Sequence, residues 1–199
     1  MASKDILVVS LNPEEGKLFL KEVCEMPVLA ESGFAEVHGS EVDLQLSNGE
    51  DVGEIVEGFG GAIIMVHFMD LITVEKLRGI YKVFERKPDF DTLIAVYKPM
   101  GQNIFKVSCL ECGQKMWIPD NRQGATGHCP KCKQAFELTR REDHVRMVLG
   151  LVEGIPVVQV AEEDGSSFKS ALETLLGKAS NEKDAPDSGG RTKLRIKKK

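Results

Sequence analysis

Gly61–His67 reads GAIIMVH, apolar at every position up to its closing histidine. That continuity decides the fold. A strand with one face in water alternates apolar and polar residues, whereas an unbroken apolar run is buried on both faces, as in a parallel sheet with helices on each side. The same reading applies to residues 5–10 (DILVVS), 92–97 (TLIAVY) and 155–160 (IPVVQV). Between these strands stand stretches of helical period. Residues 15–26 repeat through Leu18, Leu20, Val23 and Met26, and residues 73–86 place Val74, Leu77, Ile80, Tyr81 and Phe84 on one face. A short helix is expected over 51–59 and longer ones over 142–152 and 166–176, the last with Ser166 or Ser167 as cap and Gly177 as stop. Residues 34–38 and 42–46 form a hairpin around Gly39-Ser40. The expected class is α/β: a mainly parallel, doubly wound sheet with one antiparallel edge.

Outward from the strands, the next signal is cysteine spacing. Cys109-Leu110-Glu111-Cys112 and Cys129-Pro130-Lys131-Cys132 are two C-x₂-C pairs separated by sixteen residues. One such turn aims two thiolates at a point, and a second supplies the other two ligands of a closed tetrahedral Zn²⁺ site. Gly113 and Pro130 favour tight knuckles around the pairs. Short β-like runs flank them at 104–107, 115–118 and 135–138, so residues 104–138 resemble a prokaryotic zinc ribbon. Two reactive dithiols or two disulfides are the competing readings, and neither accounts for paired spacing as well. Four thiolates leave no open coordination position, so such a zinc is structural. His128 adjoins Cys129 and reads as solvated beside a complete ligand set.

The chain carries a formal charge of −5, but residues 191–199 (RTKLRIKKK) hold six basic residues and no acid, leaving −11 on the rest. An acidic body does not steer toward nucleic acid. From residue 178 onward there is too little apolar content for a core, and residues 179–199 read as a disordered basic tail. That tail (191–199) offers a route to nucleic acid, anionic lipid or an acidic partner, although no aromatic residue interleaves it. No signal peptide and no apolar run near the ~20 residues of a membrane span are present. With zinc-binding thiols this points to the cytoplasm.

The order of elements, with an edge hairpin after the first helix, resembles the bacterial Ras-like small GTPases, including the Mgl-type proteins. In ILVVSLNPEEGKLFL, Gly16 and Lys17 match the end of the P-loop pattern G-x-x-x-x-G-K-[ST], the nucleotide-binding position of that family. Leu11 replaces its first Gly and Leu18 its Mg²⁺-binding hydroxyl. Pro13 removes an N–H, and Glu14 and Glu15 bring negative charge to the phosphate position. In LSNGE, Gly49 matches a D-x-x-G turn whose acidic position is Leu46. In Tyr97-Lys98-Pro99-Met100 only Lys98 survives of N-K-x-D, and residues 160–165 weakly resemble the loop that packs on the base. The resemblance therefore implies a GTPase-like domain at 1–103 and 139–178 with degenerate nucleotide motifs and an inserted ribbon at 104–138. A receiver-like domain is the alternative: Asp70 follows the third strand, but the first strand ends Ser10-Leu11-Asn12 without an acidic pair.

His67 near Asp70 suggests acid–base work, yet no nucleophile motif accompanies it. Cys24 reads as a small buried hydrophobe. Trp117 and Met116 serve either as a contact surface or as packing on the ribbon. The function expected is a non-catalytic, pseudo-GTPase interaction protein with one structural zinc on Cys109, Cys112, Cys129 and Cys132, and with a protein partner. A nucleic-acid-associated zinc-ribbon protein and a weak residual NTPase using Lys17 are the alternatives; the balance is against an enzyme.

Overall fold

The computed structural model describes residues 5–67, 71–109, 111–138 and 140–181. Six strands form one curled sheet: β1 (Ile6–Val9), β2 (Ser32–Val37), β3 (Ser40–Ser47), β4 (Gly61–His67), β5 (Asp91–Lys98) and β10 (Val157–Ala161), in the spatial order β10-β5-β4-β1-β3-β2. All pairings are parallel except β2 with β3. The sheet is thus mixed and mostly parallel, with the antiparallel hairpin at one edge. Its turn is His38-Gly39, both at positive φ (52° and 74°), one position earlier than the spacing suggests. Two left-handed residues match the twist of a two-residue hairpin.

Helices α1 (Pro13–Val23), α2 (Val52–Ile55), α3 (Leu71–Glu85), α4 (Arg141–Leu149) and α5 (Gly165–Asn181) divide between the two faces. Because side chains alternate along a strand, Ile6, Val8, Ile63, Met65, Leu93 and Ala95 pack with Phe19 and Leu20 of α1 and Phe168 and Leu172 of α5. Their neighbours Leu7, Val9, Ala62, Ile64, Ile94 and Val96 pack on the opposite face with Leu77, Tyr81 and Phe84 of α3 and Val145 and Leu149 of α4. Each large aliphatic side chain buried this way stabilises the fold by ~1.5–3 kcal/mol before entropy is counted. Among the described residues no helix is long and apolar enough to cross a membrane.

Two expectations at the carboxyl end change. Gly177 does not stop α5, which continues to Asn181; an interior glycine costs only about 1 kcal/mol against alanine, and Phe168, Ala171, Leu172 and Leu175 hold the helix to the sheet. Lys178 to Asn181 therefore belong to α5, and the basic stretch 191–199 and Asp70 lie outside the described residues.

Between β5 and α4 stand two small antiparallel sheets. β6 (Ile104–Ser108) pairs with β7 (Lys115–Pro119), and β8 (Thr126–His128) pairs with β9 (Ala135–Glu137), a 3₁₀ turn over Asp120–Arg122 joining the two. Three of these strands fall on the expected runs; β8 was not expected.

Candidate metal centre and the carboxyl end of the sheet

Each cysteine pair sits in a knuckle built the same way. In the first, the Gly113 N–H donates to the Cys109 carbonyl (2.8 Å) and the Cys109 N–H to the Gln114 carbonyl (2.9 Å). In the second, the Lys133 N–H donates to the Cys129 carbonyl (2.9 Å) and the Cys129 N–H to the Gln134 carbonyl (2.9 Å). The residue after each pair is left-handed, Gly113 at φ 68° and Lys133 at φ 63°. The sequence repeats this as CLECGQ and CPKCKQ. Gly113 meets the requirement without a Cβ penalty; Lys133 meets it under strain.

The four sulfurs lie within 4.8 Å of one another. Cys109 and Cys132 are 3.7 Å apart and Cys112 and Cys129 3.6 Å, so the closest contacts run across the knuckles. A tetrahedral ion with metal–sulfur distances of ~2.3 Å has sulfur–sulfur edges of about 3.8 Å. The cluster can therefore hold one metal ion with little rearrangement. Cys129 is fully buried, Cys109 nearly so, and Met116 packs against both. Electrostatics agree: the Cys132 N–H holds the Cys129 thiol down at about 6, helped by the Lys131 N–H, against desolvation. At Cys132 the Gln134 N–H pulls downward, but desolvation and the neighbouring thiols outweigh it and push the group up to about 12. Four adjacent sulfurs cannot all ionise unless a cation neutralises them. His128 is exposed and stands outside the cluster.

The ribbon turn reaches the body of the protein through Asp120. Its carboxylate pairs with Lys98 at the end of β5 (3.2 Å) and with the fully buried Arg141 at the start of α4. Gln123 completes the joint, donating to Asp120 (2.7 Å) and accepting from the Arg141 backbone N–H (2.9 Å). Desolvation lowers the pKa of Arg141 and the facing Asp120 raises it. Lys98, the survivor of the N-K-x-D comparison, is thus engaged by a ribbon residue.

At the carboxyl ends of β1 and β4 the expected phosphate position is filled from within. Asn12 caps α1, its side chain accepting from the Glu14 N–H (3.2 Å) and donating to Glu15 (2.9 Å). The buried Glu15 carboxylate lies 2.8 Å from His67 Nδ1. Lys17 lies beside Glu14 (3.7 Å) and Glu31 (3.6 Å). Gly16 faces Leu46: a Cβ there would run into the Leu46 Cδ1 methyl and come within 3.0 Å of Ser10 Cβ. Gly49, at φ 90°, has its N–H accepted by Ser47 Oγ (3.0 Å), and a Cβ would press on Ile80. Farther along, Glu162 accepts from Tyr97 Oη (3.0 Å) and the Met100 N–H (2.9 Å), and Glu163 from the Gly101 N–H (2.8 Å). Burial first, then Glu162, raises the Tyr97 pKa.

The expected His67–Asp70 pairing falls partly outside the described residues; His67 lies beside Glu15 of α1, a partner that sequence reading did not name. Cys24 is half-buried against the α1–α5 core, and desolvation pushes its thiol up to about 11, in keeping with an inert role. No protein-family model matches the chain, and no curated protein is significantly similar to it.

Proposed function

We propose that this chain is a nucleotide-silent interaction protein: a domain like the small GTPases in element order, carrying a structural zinc in an inserted ribbon. The antiparallel edge hairpin after the first helix and the mostly parallel sheet support the ancestry. One observation carries the silence, which is that the first turn of α1 is satisfied by the protein itself. Its cap is Asn12, its carboxylate Glu15 is held by Asn12 and His67, and its lysine, Lys17, lies between two carboxylates. A phosphate there would meet Glu14 and Glu15, with neither the Mg²⁺-binding hydroxyl that Leu18 replaces nor the Pro13 N–H. Losing two or three charge-assisted bonds at ~1.5–3 kcal/mol each weakens a tight site by several powers of ten. A domain without substrate chemistry acts through what it holds, so a protein partner is part of this reading. The four-sulfur tetrahedron is compatible with zinc, the ion taken in this reading, and a reducing cytoplasm keeps such thiols available for it.

Calorimetry with GTP, GDP and ATP, each with Mg²⁺, at tens of micromolar protein should give no binding heat. A micromolar dissociation constant abolished by Lys17→Ala would overturn the reading in favour of a residual NTPase. Elemental analysis of the purified protein should find about one zinc per chain.

A further inference from the structure

β2 is the last strand of the sheet, and among the described residues only β3 pairs with it. Val37 and Ser40 close a two-residue turn, and the Leu46 N–H donates to the Glu31 carbonyl (2.7 Å). The odd-numbered residues of this strand thus exchange their hydrogen bonds with β3. The backbone N–H and C=O groups of Ser32, Phe34 and Glu36 point the other way, out along the edge. β2 carries no lysine, proline or bulge, the devices that ordinarily keep such an edge from taking another strand.

The two faces of that edge differ in chemistry. On one, Phe34 is 61% exposed with Asp43 opposite it, and Glu36 stands directly opposite Glu41. Like charges so placed repel, and neither strand has a lysine or arginine to relieve them. Lys169, beside the same edge, is engaged by Glu25 (3.0 Å). On the other face a cavity of about 420 Å³ lies against the buried Val23 and Ala35 and the half-buried Cys24. An added strand that suits both faces would alternate basic and apolar residues. The chain contains such a stretch: in residues 191–199 (RTKLRIKKK), Lys193, Arg195 and Lys197 alternate with Thr192, Leu194 and Ile196.

The chain is long enough to bring the two together. α5 follows β10 and runs back along the sheet over β4 and β5, toward the end where the His38-Gly39 turn stands. From β4 to β2 is three strand spacings, about 15 Å. Residues 182–190, between α5 and the basic stretch, can span about 30 Å. We propose that residues 192–197 add to β2 as an antiparallel seventh strand, with Lys193 opposite Glu36, Arg195 opposite Phe34 and Leu194 opposite Ala35. The alternation selects the face, since a slip of one residue would set Leu194 among the carboxylates. Arg195 against the Phe34 ring adds a cation–π attraction. The chain in this way guards its own edge, and any protein that pairs with β2 competes with the segment. The proposal depends neither on metal nor on nucleotide.

Amide hydrogen exchange of the full chain and of a chain ending at residue 190 tests this; the sheet and both cores lie within the shorter one. Exchange across Ser32–Val37 should be about fivefold or more slower in the full chain, with β4 and β5 alike in both. High salt should narrow the difference. Glu36→Lys in the full chain should abolish most of the protection, and adding Lys193→Glu should restore it. A full chain whose residues 191–199 keep their composition but lose their alternation should exchange like the truncated one. Equal exchange in full and truncated chains overturns the proposal, as does a charge exchange that recovers nothing. Protection by the rearranged tail would reduce the effect to charge alone and overturn it. Protection that disappears on dilution, with a dimer at high concentration, would assign the edge to a second copy and overturn it as well.

Discussion

Leu46 rests on Gly16, its Cδ1 methyl filling the space a Cβ at residue 16 would need. The glycine that matches the last Gly of a P-loop is thus required here for helix-to-strand packing. Gly16→Ala should destabilise the protein by about 1–3 kcal/mol, the usual cost of overpacking. Leu46→Ala in the same chain should recover part of that loss, so the double mutant is less destabilised than the sum of the singles. Urea denaturation of the three variants measures this coupling; strict additivity would show that the contact is not what excludes the methyl.

Asp120→Ala should be among the costliest single substitutions. It leaves the Arg141 guanidinium buried without its carboxylate, which costs about 3–5 kcal/mol. Adding Arg141→Met should restore stability, because an apolar side chain of similar length needs no counter-charge there. Lys98→Ala removes only the outer partner and should cost far less. The three are compared by thermal melting of metal-loaded protein.

Lys133→Gly should stabilise the second knuckle by roughly 1 kcal/mol, since its φ of 63° strains any residue with a Cβ. Gly113→Ala, at φ 68°, should have the opposite sign. Competition with a chelator under denaturing titration reads both: the first variant should hold its metal to higher denaturant, the second to lower.

His144 on α4 is half-buried, and desolvation lowers its pKa below the ordinary 6.5. Folded protein therefore binds fewer protons at this site than unfolded protein does. Its contribution is undiminished above pH 6.5 and is lost as pH falls through that value. Between pH 7.5 and 5.5 the melting temperature of the wild type should fall more than that of His144→Gln. Parallel pH curves would remove desolvation of His144 as the cause.

The strands were legible because burial on both faces writes a continuous apolar run, as in β4 and β5, which needs no partner to be recognised. The cysteine cluster was legible for a similar reason: each knuckle is local, and the repeat of Cys-x-x-Cys-x-Gln lies within a few residues. Lys133 was missed because a lysine at a left-handed position announces nothing, while Gly113 does. Asp120 with Arg141, and Glu15 with His67, were not legible. Each pair joins elements that only the tertiary fold brings together, and an arginine in a charged stretch such as RREDH reads as a solvated helix start. Nothing in β7 alone decided how far Trp117 stands out; in the fold it is 57% exposed.

Because Asp120 stands in the turn between β7 and β8, the geometry that four sulfurs impose around a metal also sets where that carboxylate can reach. Metal affinity and the stability of the α/β body are then reciprocal quantities. Whatever free energy the bound ion lends to the Asp120–Arg141 joint, the joint returns equally to retention of the ion. An excised ribbon peptide should therefore release its metal at a lower chelator concentration than the whole chain. Loss of the ion should therefore loosen the seam beneath α4, where the buried Arg141 meets Asp120.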